Sequence, residues 1–219
     1  MQKKSIKTII FDLDGTLFQT EELAIPAFYD TISRLRNEGL YESEIPEKET
    51  LLSMFGKTND QIWAELLPGA SSHVIEKADE YMLHYEMLRL KRGEGNPYPG
   101  VVETLKVLKK EGYRLCIASN GSEIYVTGVA EYYFPGLFAA VYSAGGYQTN
   151  SKVELVRLIV ERFNDGPMAM VGDRSSDIEA GKKNGLLTIG CKYGFGREEE
   201  LAGADYVINN FTQIRELFL

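Results

Sequence analysis

Ile9-Ile10-Phe11-Asp12-Leu13-Asp14-Gly15-Thr16 is an apolar run that breaks into a turn carrying two carboxylates two residues apart. A short apolar run closed by a glycine-containing turn reads as a buried strand, here from about Ile6 to Phe11. At the carboxyl end of a parallel strand, Asp12 and Asp14 would stand where open α/β sheets bind ligands. One carboxylate can then act as nucleophile or metal ligand and the other as acid/base, an arrangement suited to phosphoryl transfer. Read alone, the stretch also fits an ordinary strand-to-helix turn with an aspartate cap. The rest of the chain has to decide.

Downstream, from Glu21 to Arg92, the apolar spacing is helical. Ala24, Phe28, Ile32 and Leu35 share a face, as do Ile62, Leu66 and Leu67, and then Val74, Ala78, Tyr81, Met82 and Tyr85. Breaks at Gly39, around Pro46, at Gly56 and at Pro68-Gly69 divide this region into a bundle of about four helices. Trp63, Tyr81 and Tyr85 read as the core of that bundle, and His73 and His84 as surface or helix-end residues.

Gly93 to Gly100, with Pro97 and Pro99, is the clearest linker. Beyond it helices and strands alternate: helix Val101 to Glu111, strand Arg114 to Ala118, a helix from Glu123, and a strand at Ala140 to Tyr142. They continue with helix Lys152 to Phe163, strand Met168 to Val171, helix Ser176 to Asn184, strands Leu187 to Cys191 and Tyr206 to Ile208, and a terminal helix. Such alternation makes parallel βαβ units and a sheet covered by helices on both faces. The expected fold is α/β, a Rossmann-like core with an inserted α-helical bundle. The core is assigned to residues 1–17 and 97–219 and the insertion to 18–96, with hinges near 18–22 and 93–99. Inserted there, the bundle would lie over the two aspartates as a lid.

Further polar clusters follow the later strands. Ser119-Asn120-Gly121 puts a hydroxyl and backbone N–H groups at a strand end, either an anion site or a helix cap with a turn glycine. Lys152 opens a helix, where a positive charge opposes the dipole unless an anion is near; a solvated lysine is the plain alternative. Gly172-Asp173 ends a strand and Asp177 lies one helical turn on; with Asp12 and Asp14 these oxygens could hold magnesium, although Asp and Ser are also good caps.

Taken in order, these residues resemble the haloacid dehalogenase superfamily of phosphohydrolases, in the branch with a helical cap after the first motif. Asp12-Leu13-Asp14-Gly15-Thr16 matches its first motif, Ser119 the second, Lys152 the third, and Gly172-Asp173 with Asp177 the fourth. Pro99-Gly100, Gly185 and the segment from Gly194 to Asp205 are similar to phosphoglycolate phosphatase-like and nucleotidase-like members. The resemblance implies Asp12 as the nucleophile that becomes an aspartyl-phosphate, and Asp14 as acid and then base. It implies Ser119 and Lys152 as phosphoryl-oxygen ligands, with Gly15, Thr16, Asn120 and Gly121 around the substrate. Mg²⁺ is implied on Asp12, the backbone carbonyl of Asp14 and Asp173, with Asp177 as ligand or support. Many relatives follow the third-motif lysine with proline, whereas Val153 stands here.

Asp14 bears on the reaction. Dehalogenases of this superfamily lack that acid, and phosphonoacetaldehyde hydrolases carry alanine there, so its presence points to a leaving alkoxide that needs a proton. A β-phosphoglucomutase-like mutase shares the motifs and the cap and is the alternative; a non-catalytic binding module is a remoter one. Gly56-Lys57-Thr58 resembles the cap loop that meets substrate in relatives. There Lys57 could pair with a second anionic group or be a solvated loop lysine.

A net charge of −8 argues against a nucleic-acid surface but leaves room for a locally positive phosphate site. Cys116 and Cys191 sit in apolar runs and read as small buried residues of a reducing compartment. Lys3 and Lys4 precede an apolar stretch that Asp12 interrupts too early for a signal peptide, and no run reaches membrane-spanning length. The expectation is a cytoplasmic monomer or homodimer acting on a small phosphate ester. The Glu198-Glu199-Glu200 run reads as a solvated helix start.

Overall fold

The computed structural model describes residues 6–42 and 44–219; Lys3 and Lys4 lie outside them. Strand β1 (Thr8–Phe11) is followed by four helices, α1 (Glu21–Asn37), α2 (Lys48–Leu52), α3 (Asn59–Leu66) and α4 (Ser72–Lys91). Then come α5 (Val101–Lys110), β2 (Arg114–Ser119), α6 (Glu123–Tyr133), β3 (Ala140–Ser143), α7 (Ala144–Tyr147) and α8 (Lys152–Arg162). The chain ends with β4 (Met168–Gly172), α9 (Ser175–Lys183), β5 (Leu187–Cys191), β6 (Tyr206–Ile208) and α10 (Ile214–Phe218).

Among the described residues six strands form one parallel sheet in the order β3-β2-β1-β4-β5-β6. β1 lies inside the sheet, hydrogen-bonded to β2 on one side and β4 on the other. This explains why all four of its residues are buried and apolar or β-branched. Alternate residues serve opposite faces. Ile9 and Phe11, with Leu115, Ile117 and Val171, pack against Leu105 and Leu108 of α5, Val126 and Val129 of α6 and Ile214 of α10. Ile10, Cys116, Ala118 and Met170 face the other way, onto Leu155, Val156 and Ile159 of α8 and Ala180 of α9.

Helices α1 to α4 are inserted between β1 and β2 and have their own apolar core, in which Phe28, Leu35, Leu51, Trp63, Ala78 and Tyr81 meet. The helical faces read from sequence supply most of it, with Tyr85 and Ile62 at its edge. Helix α2 is only 5 residues long, and the chain from Glu44 to Glu47 around Pro46 before it is non-helical, as the break there predicts. The two connections to the insertion run side by side: the amide of Gln19 donates to the carbonyl of Asn96 at 2.8 Å and that of Tyr98 to Leu17 at 3.0 Å. Among the described residues no helix is long and apolar enough to cross a membrane. Cys116 and Cys191 are buried free thiols, and burial pushes Cys116 up to about 12, far from reactive.

Candidate active site

In this strand order the chain turns to opposite sides after β1, so the ends of β1 and β4 border the crevice where such sheets bind ligands. The Asp12 amide donates to the carbonyl of Val171 at 2.9 Å, carrying the β1–β4 ladder one step past Phe11. This brings Asp12 beside Asp173, the first residue beyond β4. Lys152, at the start of α8, is buried and reaches Asp12 Oδ1 with its Nζ at 2.6 Å. The same Nζ is 3.1 Å from Asp177 Oδ1, in the first turn of α9, as an ion pair without hydrogen-bond geometry. An anion does explain a lysine at that helix start; it is the protein's own pair of carboxylates.

Asp12, Asp173 and Asp177 each offer an oxygen within 4.8 Å of the others, and all three are buried. Asp173 is held from several directions. Its Oδ1 accepts from the Thr16 hydroxyl at 3.0 Å, and its Oδ2 from the amides of Phe195 at 2.7 Å and Gly196 at 3.3 Å. Asp177 Oδ2 accepts from the Arg174 amide at 3.0 Å, whereas its Oδ1 has no hydrogen-bond donor among the described residues. Three buried carboxylates against one ammonium leave an unbalanced negative charge, and the electrostatics register it. Burial first, then the charge of Asp177, pushes Asp173 up to about 7. Burial and Asp177 also hold Asp12 well above the usual carboxylate range, despite Lys152. Burial pulls Lys152 down, but Asp12 and Asp177 outweigh it and keep the ammonium charged.

Excess negative charge among hard oxygen donors fits a divalent cation of the magnesium type. Backbone shape makes the cluster possible. Gly15 has φ +79°, and a Cβ there would come within 2.5 Å of Asp173 Oδ2. At Gly172 a Cβ would lie 2.2 Å from Cγ of Asp177. Only glycine lets these chains approach so closely.

Asp14 points elsewhere. Its Oδ1 accepts from the hydroxyls of Thr20 at 2.5 Å and Tyr125 at 2.8 Å, and its Oδ2 from Ser119 at 3.3 Å. Ser119 Oγ in turn accepts from the Gly121 amide at 3.2 Å, so the hydroxyl is fixed. The two aspartates of the opening stretch are thus held by separate partners, Asp12 by a cation and Asp14 by hydroxyls.

Asp12, Asp14 and Lys152 line one cavity with Gly56, Lys57, Asn120 and Gly121, roofed by α1, α3 and α4. The cavity has a volume of about 60 Å³. The roof is latched down at the loop between α2 and α3. Asn120 donates to the carbonyl of Gly56 at 2.8 Å, Arg174 to that of Phe55 at 2.5 Å, and the rings of Phe55 and Phe195 are 4.7 Å apart. Gly15 and Thr16 lie outside the cavity wall, under Asp173, where Thr16 steadies a carboxylate. Lys57 does reach the cavity, but its ammonium is paired with Glu65 at 2.6 Å.

Several residues that shape the site carry no sequence signal. Thr20 and Tyr125 hold Asp14 through contacts set only by tertiary packing. Glu86 enters the cavity from α4, one turn after the core residue Met82; an acid continuing an apolar helical stripe is a signal in hindsight. Trp63 is at once bundle core and cavity wall. Glu200, expected in solvent, is half-buried and binds Arg174 Nε at 3.0 Å and the Ser175 hydroxyl at 3.1 Å.

A parallel sheet with acids at its switch point, a buried lysine among them and a helical roof defines an α/β enzyme built to handle an anion. The haloacid dehalogenase-like hydrolase model matches residues 6–185. The chain is 30% identical over 205 residues to pyrophosphatase PpaX of Listeria welshimeri, covering 90% of this chain and 88% of that one. It is 28% identical over 200 residues to a 5'-nucleotidase of Pseudomonas aeruginosa, covering 88% and 86%. Among solved structures, CbbY of Rhodobacter sphaeroides in complex with phosphate superimposes with a TM-score of 0.79 at 24% identity, over 95% and 96% of the chains. The protein belongs to the haloacid dehalogenase-like hydrolase family and is one of its phosphatases.

Proposed function

We propose that the protein is a Mg²⁺-dependent phosphatase that hydrolyses a small phosphate monoester through an aspartyl-phosphate on Asp12. The observation that carries this reading is the buried Asp12–Lys152–Asp177–Asp173 cluster opening onto a roofed cavity beside Asp14.

An Asp12 oxygen attacks phosphorus and the ester P–O bond breaks. Asp14 gives a proton to the departing alkoxide, then takes one from the water that cleaves the acyl phosphate, freeing Asp12 and phosphate. Lys152, on the cavity wall, supplies a positive charge to the phosphoryl oxygens, and Ser119, buried just behind that wall on Asp14, supplies a hydroxyl once it turns from that carboxylate. Asp12, the Asp14 carbonyl and Asp173 would hold Mg²⁺, with Asp177 as ligand or support, and when bound it would supply positive charge against the repulsion between an anionic ester and a carboxylate. The roof keeps bulk water from the reacting centre.

A mutase would have to hold a second phosphate, and the cavity's cap-side lysine is already paired with Glu65. Hydrolysis is the reading this favours. Incubating a panel of small phosphate monoesters with Mg²⁺, with the Asp12→Asn protein as blank, should release phosphate, and chelation should stop it. No release from any ester, or sugar-phosphate interconversion outrunning release when a bisphosphate activator is added, would defeat the proposal.

The core is proposed to be 1–17 and 97–219, and the cap 18–96, pivoting at 18–22 and 93–99. The paired connections at Leu17–Tyr98 and Gln19–Asn96 support this, since they form a short two-stranded strap between the sheet and a bundle with its own apolar cluster, while Leu23 and Leu90 beside the strap pack onto the sheet side. Ligand-free and liganded crystal forms are expected to differ by a cap rotation about that strap. Superimposable caps would count against it.

A further inference from the structure

The roof of the cavity is apolar, formed by Ala24, Phe28, Ile62, Trp63 and Met82, with one carboxylate, Glu86, set into it. The other charged groups of the roof are internally matched. Lys57 is bound to both oxygens of Glu65, at 2.8 and 2.6 Å. Asp79, behind the wall, accepts from Asn59 at 3.0 Å and from the Trp63 indole at 2.6 Å. Glu86 has no such match. Among the described residues no donor or cation reaches its carboxylate, and the charges around it, Asp14 and Asp79, are negative.

Glu86 is half-buried on the cavity wall, so an occupant that displaces the water there has to supply the donor that water would otherwise give. Mere packing does not account for it, since an apolar side chain at this position would continue the stripe of Val74, Ala78 and Met82. Resting on the phosphatase reading above, we propose that Glu86 receives an amine or hydroxyl of the ester's leaving group and excludes leaving groups with a second anionic charge. Asp12, Asp14 and Lys152 come from the sheet side and Glu86 from α4, and all four line the same cavity, so an ester whose phosphoryl group meets the first three brings its leaving group to Glu86. An anion at that far end would face Glu86 with Lys57 already committed. The raised proton affinity of Glu86, caused by burial and then by Asp14, reflects the same missing partner.

Matched esters test this. Aminoethyl, hydroxyethyl and propyl phosphate and phosphoglycolate share a phosphoryl group and differ chiefly at the far end. The amine and hydroxyl esters are expected to exceed phosphoglycolate in kcat/KM by about tenfold or more, the scale of one hydrogen bond to a charged group. Glu86→Gln should narrow the amine-to-phosphoglycolate ratio by about tenfold or more on the same grounds. That ratio would not move if Glu86 only supported the fold. Phosphoglycolate as the best of the four, or an unchanged ratio in the variant, would overturn the assignment while leaving the phosphatase reading intact. No turnover of any ester would overturn both.

Discussion

Asp12→Asn is expected to remove turnover, by about 10⁴-fold or more, while the protein stays folded. Deleting a covalent nucleophile costs on that scale, because the hydroxyl and cation that remain can still bind the phosphoryl group but nothing attacks it. The fold should survive for a specific reason. Asp12 is buried beside Asp173 and Asp177, and burial and the neighbouring charge of Asp177 already disfavour its ionised form. A neutral isostere relieves that repulsion and leaves Lys152 one carboxylate, Asp177, at 3.1 Å. Two measurements separate the roles: steady-state phosphate release, and phosphate retained on acid-quenched protein. Wild type should show the second and Asp12→Asn neither. A variant that keeps activity within about tenfold of wild type would sink the nucleophile assignment.

How much of this was legible beforehand depended on how local each feature is. β1 and its aspartates were readable because a buried strand ending in Asp12-Leu13-Asp14-Gly15 declares both its burial and its break within eight residues. The six strands and the inserted helices were readable from alternating periods, with boundaries off by a residue or two, as at Ser119 and Gly172. Lys152 and Asp177 became meaningful only through their order after the first motif. Their meeting at 3.1 Å spans two helices, and no spacing rule reports it. Thr20 and Tyr125 are still less visible. Asp14 is six residues from one and 111 from the other, yet both hydroxyls converge on the same oxygen. Glu200 shows the opposite error. A triple-glutamate run reads as solvated, but its third member folds back onto Arg174, the residue that also latches the cap at Phe55.

Mg²⁺ is expected to raise the thermal midpoint, and to do so much more near pH 8 than near pH 5. Consider first the metal-free protein. Asp173 is pushed up to about 7, and Asp12 is raised as well, both by burial and then by Asp177. An unfolded carboxyl titrates near about 4, so between roughly pH 4 and 7 the folded state holds protons that the unfolded state has released. Stability from these groups is therefore complete below about pH 4 and is lost as pH rises through about 7. A cation bound by the same oxygens takes the place of those protons. It competes poorly at low pH and restores the loss at high pH. At a Mg²⁺ concentration about 100 times Kd the gain is about 2.7 kcal/mol, or roughly 5–10 °C for a chain of this size. Asp173→Asn removes a ligand and should abolish most of that gain without needing an activity assay. The reading fails if Mg²⁺ leaves the wild-type midpoint unchanged near pH 8, or if the gain is as large near pH 5.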